Sequence, residues 1–297
     1  MPSIRDTLAK ARTRIDATDA RVLLQHVLGA SHAWLLAHDD ETPGEAQAAR
    51  YAELVERRAR GEPVAYLTGQ REFYGHAFEI TPAVLIPRPE TELLVELALA
   101  RLPENKPCSV LDLGTGSGIL AITLALQRPQ ASVTAVDAST EALAVAQRNA
   151  DRLLQATAPS PPMEKGLGES GGVRFLHSDW FSMLGAEQFS LIVSNPPYVA
   201  SGDPHLGQGD LRFEPQQALA SGPDGLDDIR LIVRNARAHL RPDGWLLFEH
   251  GYDQAASCRA LLAEHGYTGI FSTRDLAGIE RASGGKVQGA PEIAHSW

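Results

Sequence analysis

Residues 110–118 have the sequence VLDLGTGSG, in which an apolar segment leads directly into a glycine-rich turn. The apolar residues that follow from Ile119 have helical spacing, so the stretch predicts a strand, a tight turn and a helix in that order. Glycine lets a ligand approach the bare backbone, and the first N–H groups of a helix are free to bind it. The stretch therefore predicts a nucleoside site, although its glycines would also suit a turn with no ligand. The residues expected at this site are Gly114, Thr115, Gly116, Ser117 and Gly118.

Strands and helices alternate from this stretch onward. The strands are expected at Ser109–Leu113, Ser132–Val136, Val173–His177, Leu191–Ser194 and Trp245–Glu249, and the helices at 119–127, 140–153, 227–240 and 253–265. Such alternation predicts a parallel sheet that is covered by helices on both faces. Two segments fit the pattern less well. Residues 156–172, rich in Pro, Gly and Ser, are expected to form a mobile surface insertion, and residues 281–286 are a poor match for a final strand.

Two further segments predict contacts to a nucleoside. Asp137 ends the second strand, 21 positions after Gly116, where an acidic side chain can accept hydrogen bonds from both hydroxyls of a ribose. Asp179 and Trp180 follow the third strand, where they would flank an adenine by hydrogen bonding and by stacking. Each prediction has a structural alternative, since Asp137 would also cap the next helix and Trp180 would also pack in the core. These residues do not separate NAD from S-adenosylmethionine.

The first part of the chain is expected to be helical up to about residue 61. Apolar residues recur with helical spacing before Gly29, which favours a helix stop there. Thr42, Pro43 and Glu45 have the pattern of a capping box with proline at the first helical position. Residues 66–88 alternate imperfectly between apolar and polar types, and they predict a short β-hairpin that joins two domains.

The composition is that of an ordinary globular protein, with 43% hydrophobic and 22% charged residues. The net charge of −10 disfavours duplex DNA as a partner, because DNA-binding proteins use Lys and Arg to neutralise phosphates. Cys108 and Cys258 lie far apart without CxxC spacing, so we expect neither a metal site nor a disulfide. No apolar run approaches the ~18 residues of a membrane span. With a polar N-terminal segment as well, a cytoplasmic location is expected.

Residues 195–198 have the sequence NPPY and lie where the fourth strand leaves the sheet. Pro196 and Pro197 have no backbone N–H, so this peptide offers carbonyl acceptors without donors, and Asn195 adds a side-chain acceptor. Two acceptors side by side suit an –NH2 group, and Tyr198 offers a flat face for a planar amide or base. The motif therefore predicts a site that orients an amide or amino nitrogen for reaction. The structural alternative is a proline turn that only ends the strand.

The motif DLGTGSG followed by NPPY resembles the amino-methyltransferase branch of the class I methyltransferases, which includes DNA N6-adenine enzymes and protein glutamine N5-methyltransferases. Further segments are similar to the release factor glutamine methyltransferases (the HemK/PrmC family). These segments are FYG at 73–75, LIPRPETE at 85–92, DPHL at 203–206 and GDLRFEP at 209–215. The resemblance covers nearly the whole chain, including its helical N-terminal part.

This resemblance implies an α/β fold of the class I methyltransferase type, Rossmann-like, with a mostly parallel seven-stranded sheet, a small N-terminal helical domain and a linking β-hairpin. Since the helical segment precedes the alternation of strands and helices and is not needed for it, we expect a helical partner-recognition domain at 1–65, a hairpin linker at 66–88 and a methyltransferase domain at 89–297. The resemblance implies S-adenosylmethionine as the cofactor and S-adenosylhomocysteine as its product. The implied substrate is the glutamine of the GGQ loop in class 1 peptide chain release factors.

The resemblance also implies which residues contact each ligand. Around the cofactor it places Gly114–Gly118, Asp137, Trp180 and Asn195. Around the glutamine, as catalytic and substrate-binding residues, it places Asn195, Pro196, Pro197 and Tyr198.

Four other functions stay open. A DNA adenine methyltransferase would need the same acceptors and would stack a flipped base on Tyr198, but no basic recognition segment is visible. The sequence patterns distinguish poorly between a glutamine methyltransferase that acts on a ribosomal protein and one that acts on a release factor. A non-catalytic nucleoside-binding protein would not need the NPPY motif, and a nicotinamide oxidoreductase would use the glycine turn but not residues 195–198.

Overall fold

The computed structural model describes residues 2–155, 169–170 and 172–289, with the backbone alone at 169–170. The first part of the chain is helical, as predicted. Its helices are α1 Ile4–Ala11, α2 Ala17–Leu28, α3 His32–Ala37, α4 Glu45–Ala59 and α5 Val64–Thr68. Leu23, Leu24, Leu35 and Leu54 are almost fully buried in a core that belongs to these helices. The helices therefore bury their apolar faces against one another.

Two helix ends test the expected capping signals. Helix α2 ends as predicted at Gly29, which has a φ of +63°. The capping box predicted at Thr42 is wrong, because α4 begins two residues later with Gly44 as its N-cap. The Gly44 N–H donates to Gln47 Oε1 at 3.1 Å. Gln47 lies three residues after Gly44 and supplies the bond that the sequence pattern assigned to Glu45.

The predicted hairpin is formed by β1 Gln70–Phe73 and β2 His76–Glu79, which pair antiparallel. Its two turn residues, Tyr74 and Gly75, have φ values of +51° and +78°, and a two-residue hairpin turn of this kind requires positive φ. The strands are shorter than the predicted segment 66–88 because α5 occupies its start.

The central sheet contains β3 Cys108–Leu113, β4 Ala131–Asp137, β5 Glu169–Ser170, β6 Val173–His177, β7 Phe189–Ser194, β8 Leu240–Glu249, β9 Thr268–Arg274 and β10 Glu280–Lys286. The strand order is β5-β6-β4-β3-β7-β8-β10-β9. Strands β6, β4, β3, β7 and β8 pair in parallel, and β10 is antiparallel to both of its neighbours. The mostly parallel seven-stranded sheet is confirmed, with the two-residue β5 as an additional edge strand.

Helices cover both faces of the sheet. They are α6 Glu92–Leu99, α7 Ile119–Gln127, α8 Thr140–Gln155, α9 Asp227–Ala236 and α10 Ala255–Glu264. Side chains alternate along β3, so that Val110 enters the core under α6, α7 and α8, whereas Leu111 enters the core under α9 and α10. Helix α9 is shorter than the predicted 227–240, because a 3-10 turn follows it and β8 begins at Leu240.

The end of the described chain corrects one expectation. Residues 281–286 are a poor match for a strand by sequence, yet they belong to β10, which lies between β8 and β9. Its glycines explain this position. A Cβ on Gly284 would lie 2.6 Å from Leu247 Cδ2, and one on Gly285 would lie 2.9 Å from Tyr267 Cβ. The strand thus uses glycine for close approach to its neighbours. The predicted insertion at 156–172 lies outside the described residues except at 169, 170 and 172.

Candidate active site

The glycine turn and residues 195–198 lie side by side because their strands are neighbours. Strands β3 and β7 pair in parallel with Leu113 opposite Ser194, so Gly114 and Asn195 leave the same edge of the sheet. The Ser194 hydroxyl donates to the Leu113 carbonyl at 2.8 Å and joins the two strand ends. The helices that follow these strands, α7 and α9, cover opposite faces. A crevice for ligands opens at such a point in an α/β sheet.

The turn needs glycine for its own geometry. Gly118 has a φ of +85°, and a Cβ there would lie 2.7 Å from Ile122 Cδ1. Gly114 has a φ of +69°, and a Cβ there would lie 3.6 Å from the ring of Trp180. The glycines are therefore required by the turn itself, as the structural alternative predicts. They also leave a cradle of bare backbone beside Trp180, which a side chain would partly fill.

Asp137 ends β4, and both oxygens of its carboxylate bind backbone N–H groups. Oδ2 accepts from Gly116 at 2.8 Å, and Oδ1 accepts from Ser139 at 2.9 Å. Helix α8 is capped by Ser139, whose Oγ accepts from the Ala142 N–H at 3.1 Å, so Asp137 holds the capping residue and does not cap the helix itself. The Asp137 side chain also lines a pocket, and each carboxylate oxygen has a further lone pair. Burial raises the pKa of Asp137, and the bonds from these N–H groups oppose that rise. Asp137 can therefore hold the glycine turn and accept from ligand hydroxyls at the same time.

Trp180 lies in a tight turn after β6, where its φ is +47°, an uncommon value for a residue other than glycine. The Ser178 hydroxyl holds this turn by donating to the Trp180 carbonyl at 2.8 Å. The half-buried ring packs on the core under α9 and α10 and faces Gly114. Asp179 lies beside it on the pocket wall. Core packing and a place in the pocket are therefore combined in the same tryptophan.

A pocket of about 270 Å³ collects most of the predicted residues. Those on its wall are Gly114, Thr115, Gly116, Ser117, Asp137, Asp179, Trp180, Asn195 and Pro197. Among the described residues, Gly118, Pro196 and Tyr198 are not on this wall. The opposite side comes from the segments 83–87 and 215–218, which the sequence patterns did not assign to the site.

Glu214 joins these two segments. Its buried carboxylate accepts from the Ile86 N–H at 2.9 Å and pairs with the Arg88 guanidinium. The linker before α6 and the segment after NPPY are thereby held together across the pocket. No local pattern singled out these residues, although both segments belong to those that carried the family resemblance.

Asp112 is another residue near the turn that the sequence patterns did not assign. Its Oδ2 accepts from the Thr115 hydroxyl at 2.6 Å and from the Ala121 N–H at 3.1 Å. Its Oδ1 is buried without a hydrogen-bond partner among the described residues. Burial raises the pKa of Asp112 to about 7. In the sequence, the signal for Asp112 was an acidic residue two positions before the first glycine. Acidic residues with perturbed pKa values cluster at functional sites.

Asn195 is held through one half of its amide group. Its Nδ2 donates to Thr91 Oγ1 at 3.1 Å. Its Oδ1 is buried and has no hydrogen-bond partner in the described part of the chain. Leaving a buried acceptor unpaired costs about 1–3 kcal/mol. This oxygen therefore indicates a place where a ligand donates a hydrogen bond.

Tyr198 is anchored at both its hydroxyl and its backbone. The hydroxyl donates to Glu249 Oε1 at 3.0 Å, and the carbonyl accepts from Gln254 Nε2 at 3.0 Å. Burial raises the pKa of Tyr198, so the phenol keeps its proton at neutral pH. The ring is therefore fixed in place. The hydrogen bond from its hydroxyl to Glu249 was not predicted from the sequence.

The described residues offer neither a metal site nor a membrane-spanning helix. In residues 2–155 and 172–289, no group of three His, Cys, Asp or Glu side chains could hold a metal ion. No helix in the described part of the chain is long and apolar enough to cross a membrane. Cys108 and Cys258 are buried free thiols.

Comparison with known proteins gives consistent results along the chain. The PrmC N-terminal domain family matches residues 3–69, and the methyltransferase small domain family matches residues 90–209. A release factor glutamine methyltransferase of Burkholderia pseudomallei (strain K96243) is 52% identical over 276 residues, which cover 93% of this chain and 93% of that protein. One of Escherichia coli (strain K12) is 43% identical over 90% of this chain and 91% of that protein.

A solved structure supports the fold. It is that of a T. thermophilus 16S rRNA methyltransferase in complex with AdoMet and guanosine, which is 23% identical with a TM-score of 0.50. The match covers 74% of this chain and 50% of that one. Fold and site together define a class I methyltransferase. The chain belongs to the release factor glutamine methyltransferase family, as the resemblance predicted.

Proposed function

We propose that this protein transfers a methyl group from S-adenosylmethionine to the side-chain amide nitrogen of the glutamine in the GGQ loop of class 1 peptide chain release factors. The names and the high identity of its relatives support this substrate. In the structure, the proposal is carried by Oδ1 of Asn195, a buried acceptor without a partner among the described residues, which belongs to the wall of the glycine-lined pocket. The product would be N5-methylglutamine together with S-adenosylhomocysteine.

The pocket wall has the chemistry that S-adenosylmethionine needs. Asp137 has acceptor capacity for the two ribose hydroxyls, and the bare backbone of Gly114 and Gly116 permits close approach. Trp180 offers a flat face and Asp179 an acceptor for the adenine. When bound, the cofactor supplies a methyl group on a sulfonium, which is an activated leaving group.

The residues of the NPPY motif would activate the amide by positioning it. An amide nitrogen is a poor nucleophile because its lone pair is delocalised into the carbonyl, which also gives the amide a rotation barrier of ~18–20 kcal/mol. Asn195 Oδ1 and the carbonyls of the two prolines would accept hydrogen bonds from both N–H groups and so orient the nitrogen. The nitrogen would form its bond to the methyl carbon that the cofactor supplies, with the electrons of the broken S–C bond left on sulfur, and one amide proton would pass to solvent. Such positioning can supply much of the catalysis.

The division of labour along the chain is part of the proposal. Residues 1–65 would recognise the partner protein, residues 66–88 would link the domains, and residues 89–297 would carry out methyl transfer. Among the described residues, the pocket wall includes none from 2–65. However, Arg58 of α4 pairs with Asp210 at 2.9 Å, so the N-terminal helices touch the segment after NPPY. Because the substrates are proteins of translation, we place the enzyme in the cytoplasm.

Two alternatives use the same site. A ribosomal-protein glutamine would present the same amide to this site, whereas the names of the relatives favour the release factor. Adenine in DNA also has an –NH2 group, but the net charge of −10 disfavours a DNA partner.

Methyl transfer from radiolabelled S-adenosylmethionine separates these substrates. We expect label on purified release factor, none on a release factor whose GGQ glutamine is changed to alanine, and none on DNA. Ribosomal proteins incubated in parallel test the nearest alternative. Substantial label on adenine would overturn the proposal. So would equal label on the unchanged release factor and on the one whose GGQ glutamine is replaced by alanine.

A further inference from the structure

Glu249 is a buried carboxylate beside the NPPY motif. It ends β8, whose neighbour β7 leads into Asn195, and it is 2% exposed. Its two oxygens accept from two different hydroxyls. Oε2 accepts from Thr91 Oγ1 at 2.7 Å, and Oε1 accepts from Tyr198 Oη at 3.0 Å. The carboxylate thus contacts one residue of the motif directly and reaches another through Thr91.

Thr91 connects this carboxylate to Asn195. It is fully buried at the start of α6, and its Oγ1 lies 3.1 Å from Asn195 Nδ2. A hydroxyl has one proton to donate. Because Thr91 donates its hydroxyl proton in the hydrogen bond to Glu249, its oxygen can only accept from Asn195. The amide must therefore present its –NH2 side to Thr91. If the amide were turned over, its oxygen would face a hydroxyl oxygen with no proton left to give.

We infer that Glu249 and Thr91 are positioning residues, which fix the amide of Asn195 so that Oδ1 stays free as the acceptor for the substrate –NH2 group. This inference rests on the proposed function, in which that oxygen holds the glutamine amide. The unpaired state of Oδ1 within the described chain is the direct consequence. Neither residue needs to touch the substrate, since both act through Asn195.

The protonation of Glu249 matters for this arrangement. Burial raises the pKa of Glu249 above its usual value, and the hydrogen bonds from Thr91 and Tyr198 oppose that rise only in part. The ionised form accepts from both hydroxyls and therefore determines the direction of the chain of bonds. A glutamine at this position would present an –NH2 group to one of them, which would release the Thr91 proton and permit the Asn195 amide to turn over.

Three variants test the inference by turnover. Thr91→Val removes the hydroxyl without changing the shape, and Thr91→Ser keeps it. Glu249→Gln keeps the shape but replaces one acceptor oxygen by an –NH2 donor. We expect Thr91→Val to lower kcat by about 10-fold to 100-fold, below the ~10²–10³ for a group that contacts the transition state itself. Thr91→Ser should stay near the wild-type rate, and Glu249→Gln should lie between. The KM for S-adenosylmethionine should change by less than kcat in all three.

Thr123→Val is a matched control. Thr123 is also a fully buried threonine, but its hydroxyl has no hydrogen-bond partner among the described residues. Its replacement should leave kcat unchanged. Wild-type kcat in both Thr91→Val and Glu249→Gln, or a loss in Thr91→Ser as large as in Thr91→Val, would overturn the inference.

A second measurement needs no substrate. The chain has four asparagines, Asn105, Asn149, Asn195 and Asn235, so the side-chain amide of Asn195 can be assigned by NMR in protein labelled with ¹⁵N-asparagine. We expect one of its protons to be protected from solvent exchange in the wild type and in Thr91→Ser, and exposed in Thr91→Val. Unchanged protection in Thr91→Val would refute the positioning role. If the wild type showed this pattern but did not methylate release factor, the proposed substrate would be wrong and the fixed amide would stand.

Discussion

Replacement of Asn195 by alanine separates catalysis from stability. The change removes the unpaired Oδ1 that is proposed to hold the substrate amide. Losing one well-placed polar group from a transition state lowers turnover by ~10²–10³. We therefore expect Asn195→Ala to lose this much kcat on release factor. Cofactor affinity should fall less, although Asn195 also lines the cofactor pocket.

The effect of Asn195→Ala on folding should be small. The protein itself loses only the bond from Nδ2 to Thr91, and a typical hydrogen bond contributes about 0.5–1.5 kcal/mol. The variant also removes a buried oxygen that had no partner in the described residues, which offsets part of that loss. We expect the free energy of unfolding to change by no more than about 1 kcal/mol.

Asn149→Ala is the matched control. Asn149 is fully buried, whereas only part of Asn195 is, and the amide of Asn149 is satisfied on both sides. It donates to the carbonyls of Glu79 and Ser117, both at 3.0 Å, and accepts from the Glu79 N–H at 2.7 Å. Its removal takes this partner from the buried Ser117 carbonyl and from the part-buried Glu79 backbone groups, so stability should fall by about 1–3 kcal/mol. Urea unfolding and single-turnover methylation of release factor measure the two quantities. An active Asn195→Ala, or one that is as unstable as Asn149→Ala, would refute the reasoning.

Four further predictions follow from the same structure. Asp137→Ala should weaken binding of S-adenosylmethionine by roughly 1.5–3 kcal/mol, the usual contribution of hydrogen bonds to a charged group; unchanged affinity by calorimetry would remove Asp137 from the site. Tyr198→Ala should lower turnover, whereas Tyr198→Phe should keep most of it but lose about 1–3 kcal/mol of stability, since it leaves an oxygen of Glu249 unpaired; equal turnover losses would show that the hydroxyl matters. The pKa of Asp112 is raised in the folded state from 3.8 to about 7, so the folded state holds this proton more tightly and its contribution to stability is lost as pH rises between these values. The wild type should therefore lose stability relative to Asp112→Asn by up to about 1.4 kcal/mol per pH unit in that window, and a difference independent of pH in urea titrations would contradict this. Deletion of residues 1–65 should largely preserve cofactor binding and abolish activity on intact release factor; full activity would show that these helices do not recognise the partner, and loss of cofactor binding would show that the contact between Arg58 and Asp210 is part of a shared structure.

Local sequence was sufficient for the elements whose conformation depends on near neighbours. The alternation of apolar strands and amphipathic helices predicted the sheet from β3 to β8, because periodicity determines which side chains face the core. The positive φ values required after Leu113 select glycine, which made the turn at 114–118 recognisable. The acceptors of Asn195 and the two prolines follow from residue type alone. The candidate site was therefore predictable as two loops at the ends of strands.

The tertiary structure decided the features that depend on residues far apart in the chain. Strand β10 has little apolar character of its own, and its place follows from the close approach of Leu247 and Tyr267 to its glycines. Likewise, Thr91 and Glu249 are separated by 158 positions, and neither has a neighbour in sequence that indicates a bond between them. Which way the Asn195 amide points is determined by these two side chains. The sequence alone determined that an acceptor would be present, whereas packing determined its direction, because a single hydroxyl proton can be donated to only one of two competing acceptors.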